Sequence, residues 1–299
     1  MQLANPFAAS GKWYKGNLHT HTARSDGELE PEEIEQSYRA AGYDFLALTD
    51  HDRVTEPGEV SDEEFLLLLG AEMAGDQGEV AEQVHVVAFG LASAGDVPEG
   101  PTVPDAIAWA VDHGGEAIIA HPYWSGLVVS DLLQWEGHLG IEVFNTTCHV
   151  TKAKGHSAVH WDDLLGRGRC PWGFAVDDAH RSTSHRPTDL CRAWVMARAP
   201  ELTREAVLEA LRAGHFYSSC GPAIHEIAMC GGEVRARTSP VKEINFVAQR
   251  WAGGSVAAPE GTALTEATYR LQGHEAYLRV ECRDTEGRWA WSNPIFLGD

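Results

Sequence analysis

Short apolar runs that end on a histidine or a carboxylate recur along this chain of 299 residues, and nothing else in it restricts the fold as much. Phe45-Leu46-Ala47-Leu48-Thr49 stops at Asp50-His51-Asp52, and Phe65 to Leu69 leads to Gly70-Ala71-Glu72. Ala117 to Ala120 runs into His121-Pro122, and Gly173 to Val176 into Asp177-Asp178-Ala179-His180. His85 lies inside the β-branched and aromatic run Val84 to Gly90. Runs of this length read as buried strands. A buried polar group without a partner costs stability, so the repetition predicts one shared rim where the polar ends meet each other or a cation.

Helical segments separate the runs. Pro31 opens a stretch in which Ile34, Tyr38 and Ala41 share a face, and Gly42 stops it. Pro104 to Gly114 repeats the logic with Ile107 and Val111. Thr203 caps a helix carrying Val207, Leu208 and Leu211, with Gly214 as its stop. Alternating strands and helices predict a parallel sheet, and polar strand ends on one rim predict a closed α/β barrel.

At the start of the chain, His19 and His21 are two apart. In an extended segment they point to one face, where both imidazoles can take one cation while the following loop returns Asp26. In chain order, His19-Thr20-His21 with Ser25-Asp26-Gly27, Thr49-Asp50-His51, Gly70-Ala71-Glu72, His85, Ala120-His121-Pro122 and Asp178-Ala179-His180 resemble the motifs of the polymerase and histidinol phosphatase (PHP) family of metal-dependent phosphoesterases. The resemblance spans about residues 13 to 220. The closing segment, Arg288 to Phe296, resembles the terminal motif of a subgroup that includes carbaryl-hydrolase-like proteins.

The resemblance implies a distorted (β/α)7 TIM-like barrel around a three-metal cluster. His19, His21, Glu72 and Asp178 would hold one ion; Glu72, as a bridge, with His85 and His121 a second; Asp26, His51 and His180 the third. Two to three divalent transition metal ions are expected, manganese foremost, with zinc or iron as alternatives, because imidazole suits these ions and a bridging carboxylate adds the oxygen that manganese prefers. The reaction implied is attack of a metal-bridging hydroxide on phosphorus. His180 or Asp50 would protonate the leaving group, Asp50 serving alternatively to orient His51. Arg24, Arg181 and His149 are candidate substrate contacts, the arginines through forked bonds to phosphate. Tyr123 and Trp124 are candidate pocket walls, and Cys148 a candidate lining residue.

From Gly221-Pro222 onward, short β-like runs at Ala223 to Met229, Ile244 to Gln249, Ala267 to Leu271 and Ala276 to Cys282 replace the alternation. The division expected is a barrel over residues 1–220 and a small antiparallel β domain over 221–299, with a stabilising role for the latter and homo-oligomer formation as an alternative. The net charge of −21 argues against an extended nucleic-acid surface. The first ten residues carry neither a basic nor an apolar leader pattern and no apolar run reaches spanning length, so a cytoplasmic protein without membrane contact is expected. The six cysteines lack Cys-x-x-Cys spacing and read as reduced thiols. The expected partners are a small phosphorylated substrate, a metabolite or nucleotide, and inorganic phosphate. Carbamate or carboxylic-ester hydrolysis and a non-catalytic metal-binding module are the alternatives.

Overall fold

The computed structural model describes residues 5–56, 64–76, 78–79, 83–181 and 188–297. The first part alternates strands with helices: β1 (Lys12–Asn17), α1 (Pro31–Ala40), β2 (Phe45–Leu48), β3 (Leu66–Ala74), β4 (His85–Leu91), α2 (Val103–Asp112), β5 (Glu116–Ile119), the short α3 (Pro122–Ser125) and α4 (Val129–Leu132), β6 (Gly140–Asn145), α5 (Thr146–Lys152), α6 (Ala158–Leu165) and β7 (Trp172–Val176). These strands are hydrogen-bonded in chain order from β1 to β7.

From β2 to β7 the strands are largely buried on both faces, whereas only the end of β1 is. Val87 and Phe89 pack inward with Phe45, Leu68, Ile118, Phe174 and Val176. Their neighbours Val86 and Ala88 pack outward with Ile119, Ile141, Val143 and the helices. That two-residue alternation is the strand period expressed inside a barrel. The helices follow their caps: Thr203 Oγ1 accepts from Ala206 N at the start of α7 (Arg204–Arg212), and α1 ends before Gly42 at φ +73°. In α2 the buried stripe is Val103, Ala106, Ile107 and Ala110, whereas Val111 is exposed.

Two departures from a uniform parallel barrel position the site. β4 is antiparallel to both β3 and β5, where a wholly parallel sheet was expected. Residues 75–84 are too few for a crossover helix, so β3 returns as a hairpin and β4 begins, rather than ends, at the polar rim. The ladder also does not close from β7 to β1. Instead, extensions of the two strands meet in an isolated bridge, Thr20 to Ala179, flanked by His21 N to Ala179 O at 2.9 Å and Asp178 N to His19 O at 2.9 Å. The buried Asp177 carboxylate ties this seam, accepting from Asn17 Nδ2, Tyr38 Oη, Thr146 Oγ1 and the amides of Arg192 and Ala193.

Beyond the seam, β8 (Trp194–Ala199) pairs antiparallel with β1 from Lys12 to Gly16, and β9 (Phe216–Ser219) pairs with β8. The remaining strands are β10 (Ile224–Cys230), β11 (Glu233–Val241), β12 (Glu243–Val247), β13 (Gly253–Ala257), β14 (Leu264–Arg270), β15 (Tyr277–Arg283), β16 (Trp289–Ser292) and β17 (Ile295–Phe296). β16 pairs with β9, so the large sheet continues through β15 and β12 to its edge at β13. A second sheet, β10-β11-β14, packs on it through Ile227, Val234, Ala236, Ile244, Phe246 and Val280. β11 is a strand that run-based reading misses: Val234, Ala236 and Thr238 face inward between Arg235 and Arg237, so no continuous apolar run exists.

Candidate metal centre

Glu72 is the hub. It lies within β3, two residues past Gly70, where the β3–β4 register shifts. A Cβ at Gly70 would approach Ala88 O to 2.5 Å, so glycine is required for the strand to bend there. The Glu72 side chain is buried and its two oxygens face rings from most of the other strand ends. Oε2 is 3.2 Å from His19 Nε2, 3.1 Å from His21 Nε2 and 3.2 Å from His51 Nδ1. Oε1 is 2.8 Å from His85 Nδ1 and 3.3 Å from His121 Nε2. Asp178 Oδ1 is 3.2 Å from Nε2 of both His19 and His21. Asp26 reaches in from its loop, with Oδ1 3.4 Å from His21 Nδ1 and Oδ2 3.6 Å and 3.4 Å from Nε2 of His51 and His180. Gly27 permits that loop, since a Cβ there would sit 2.6 Å from His21 O.

Donor atoms lie close enough to share an ion in three sets: His19, His21, Glu72 and Asp178; His21, Asp26, His51 and His180; and His51, Glu72 and His85. The first is the set implied by the resemblance. In the others, His21 joins the Asp26 group, and His51 takes the place beside Glu72 and His85 that the resemblance gives to His121, whose Nε2 faces Glu72 Oε1. Positive φ values at Asp52 (+50°), His121 (+28°) and Asp178 (+53°) put strained backbone beside or within this rim.

These residues fit divalent cations. Nε2 of His19 and Nε2 of His21 face each other at 3.1 Å, and the buried His21 Nδ1, although 3.4 Å from Asp26 Oδ1, makes no hydrogen bond among the described residues. Burial disfavours charged imidazole, yet Asp178, Glu72 and Glu142 raise the His19 pKa well above its usual value. Burial likewise opposes charge on Glu72, but His19, His85 and His121 hold it ionised. Such a field stabilises positive charge at the cluster, whether carried by protons or by metal ions. Outer partners fix the rings: the His19 Nδ1–H donates to Glu142 Oε1 at 2.6 Å, and the His180 Nδ1–H donates to Asp178 O at 2.7 Å. Each leaves Nε2 available as a ligand atom.

Glu142 is a partner that the motifs do not reveal. Besides His19, its Oε2 accepts from His121 N and Asn145 Nδ2, both at 2.8 Å. Asp189 is another: it accepts from the amides of His180 and Arg181 and from Thr147 Oγ1, joining the His180 loop to α5. Neither follows a strand-end run, and carboxylates of this kind are found only once their partners are in space.

The cluster forms the floor of a cavity of about 370 Å³, whose walls include Trp124, Cys148, Thr151, Lys152 and Arg181. Lys152 had no sequence signal beyond being a surface lysine. Four expected residues are placed elsewhere. Asp50 neither borders the cavity nor bonds His51; its oxygens accept from Thr22 N, Thr22 Oγ1, Ser25 Oγ and Thr55 Oγ1. Burial raises its pKa, but those hydroxyl and amide donors outweigh it and hold the carboxyl below its usual value, which unsuits it to donating a proton. Arg24 is half exposed and pairs with Glu30 at 3.2 Å. His149 lies on the other face of α5, in a separate cavity. Tyr123 is exposed outside the metal cavity, with Lys154 Nζ over its ring at 5.6 Å.

No protein-family profile matches the chain, and no curated protein matches it. Among solved structures, it is similar to a two-domain protein from Bacteroides vulgatus containing a predicted PHP-like metal-dependent phosphoesterase, at 17% identity and TM-score 0.50, over 92% of this chain and 91% of that one. It is also similar to an amidohydrolase from Chromobacterium violaceum with bound sulfate and no metal (20% identity, TM-score 0.44, 56% and 88% covered). A candidate metal-dependent phosphoesterase from Bifidobacterium adolescentis matches at 16% identity and TM-score 0.42, with 58% and 90% covered. The first of these spans both parts of the chain, and the fold described above is therefore the PHP-like fold with a β-rich C-terminal region.

Proposed function

We propose that this protein is a metal-dependent hydrolase acting on phosphate esters of small molecules. The observation that carries the reading is the buried Glu72 carboxylate, faced by His19, His21, His51, His85 and His121 at the floor of an open cavity. His19, His21, Glu72 and Asp178 would hold one ion, Glu72 with His85 and His121 and the nearby His51 a second, and Asp26, His51 and His180 a third. When bound, such ions activate water near neutral pH and neutralise charge on a phosphoryl oxygen.

The chain's own residues do the rest. Glu142 and Asp178 O hold the rings of His19 and His180 in one orientation each. Lys152 and Arg181 bring positive charge to the cavity wall, where they would bind phosphoryl oxygens. His180 borders the cavity and is partly exposed, and it would hand a proton to a leaving oxygen only in a state in which its Nε2 holds no ion. The cavity has the size of a small-molecule site. No helix among the described residues is long and apolar enough to cross a membrane.

The test is a panel of p-nitrophenyl phosphate, bis-p-nitrophenyl phosphate and a naphthyl carbamate on manganese-loaded protein. Hydrolysis of either phosphate ester is expected. Turnover of the carbamate alone would replace this reading with carbamate hydrolysis, and no turnover with two or more metal equivalents bound would reject catalysis.

A further inference from the structure

A second cavity, of about 280 Å³, lies on the other side of α5 from the metal centre. The helix divides its residues between the two: Cys148, Thr151 and Lys152 border the metal cavity, Thr146, His149 and Val150 the second. Among its lining residues, the side chains of His149, His156 and Arg192 make no hydrogen bond or ion pair with any described residue. Arg288 also borders the space, but it is already compensated, with Nε 2.8 Å from Asp284 Oδ2 and Nη2 3.3 Å from Glu286 Oε1. Arg192 is thus the one uncompensated cation among these described lining residues, in a chain of net charge −21.

The remaining wall combines the aromatic Phe144 and Trp289 with Thr146, Val150, Cys220 and Gly287, and with Glu286, which pairs with Arg288. The Phe144 ring centroid is 5.4 Å from His149 and 4.9 Å from His156, the two imidazoles stand edge to face at 5.2 Å, and Trp289 completes the side. His149, His156 and Arg192 keep exposed edges at the cavity mouth; partial burial, reinforced by His149, brings the His156 pKa to about 4, and partial burial with Arg192 nearby lowers that of His149. Both rings are therefore neutral near pH 7, each with one N–H to donate. A guanidinium with its fork free matches the two oxygens of a carboxylate or phosphate, and a space of this size admits about one ring with its anionic group.

We infer that this cavity binds an oxyanion, phosphate or carboxylate, carried on an aromatic ring, with Arg192, His149 and His156 as donors and Phe144 and Trp289 as the apolar wall. The site is distinct from the metal centre and does not depend on which ester that centre hydrolyses.

The experiment uses the full chain loaded with zinc, which is diamagnetic. Imidazole resonances in long-range 1H–15N spectra are followed during titration with phenylphosphonate or benzoate, and assigned with His149→Gln and His156→Gln. Neither probe is a hydrolysable ester. Saturable shifts of the His149 and His156 signals are expected, and the tighter probe identifies the oxyanion. Arg192→Gln should weaken binding roughly tenfold or more while metal content and circular dichroism stay unchanged. Shifts confined to the metal-centre histidines, no shift up to tens of millimolar, or equal affinity in Arg192→Gln would each overturn the inference.

Discussion

Glu72 at the metal centre and Arg279, on β15 against α6, are buried to the same extent, each 1% exposed, yet their surroundings differ in kind. Arg279 is matched: Nη2 lies 2.8 Å from Asp162 Oδ1, Nη1 pairs with Glu281, and the guanidinium covers the Trp161 ring at 4.7 Å. Its charge is answered by carboxylates within the protein. Glu72 is surrounded by more ring nitrogens than its oxygens can pair with, and the rings of His19 and His21 face each other. A buried charge matched within the chain holds structure together, whereas a buried set with surplus ligand atoms has a place for something else.

Glu72→Gln breaks the comparison at its centre and has the largest expected effect. It should remove at least one metal equivalent by elemental analysis and lower phosphate-ester turnover more than about a hundredfold, beyond what loss of an outer partner costs. The thermal midpoint without added metal should fall little. Full metal content in this variant would show that Glu72 is not a bridge.

Arg279→Ala tests the matched partner. Removing one member of a buried pair costs about 3–5 kcal/mol; the lower end is expected, because Asp162 is 41% exposed and regains water. Urea unfolding should show the loss while metal content stays at the wild-type value. A metal loss as large as that of Glu72→Gln would mean the two regions are not independent.

A smaller effect is expected from Glu142→Gln, which keeps the shape but weakens the bond to His19 Nδ1. Metal affinity should fall roughly 10- to 100-fold, the usual cost of an outer partner, as read by competition with a chelator. An unchanged affinity would make Glu142 a structural residue only.

The smallest effect sharpens the contrast on the C-terminal side. Burial opposes ionisation of Glu275, but the amides of Gln272 and His274 and the Tyr269 hydroxyl bring its pKa down to about 2. A carboxyl with a lowered folded-state pKa contributes stability that is present above its unfolded value, near 4.5, and lost as pH falls toward about 2. Wild type should therefore exceed Glu275→Gln in urea midpoint at pH 7, and the gap should narrow between pH 4.5 and 2.5. A gap constant with pH would assign the difference to hydrogen-bond geometry alone.

Much of the centre is legible in the sequence because its ligands stand at or beside the ends of apolar runs, where chemistry has to account for a polar group. The same reasoning assigns Asp50 a role in catalysis, although its oxygens brace the Thr22–Ser25 loop. Arg24 and Arg181 are alike by motif, one lying between His21 and Asp26 and the other directly after His180. Only the chain path turns Arg181 to the cavity and Arg24 to Glu30. His149 and Lys152 belong to one short helix and are neighbours on its surface, yet they border different cavities because α5 itself forms the partition between the two spaces.

What the sequence determined by itself is local: strands as apolar runs, helices by period and cap, and ligands as polar groups that such runs cannot bury alone. The antiparallel turn of β4, the seam tied by Asp177, the joining of β16 to β9 and the recruitment of Glu142 and Asp189 were decided by the tertiary structure. Each depends on residues far apart in the chain meeting at hydrogen-bond distance. Local propensity carries no information about such meetings until the strands have a common order.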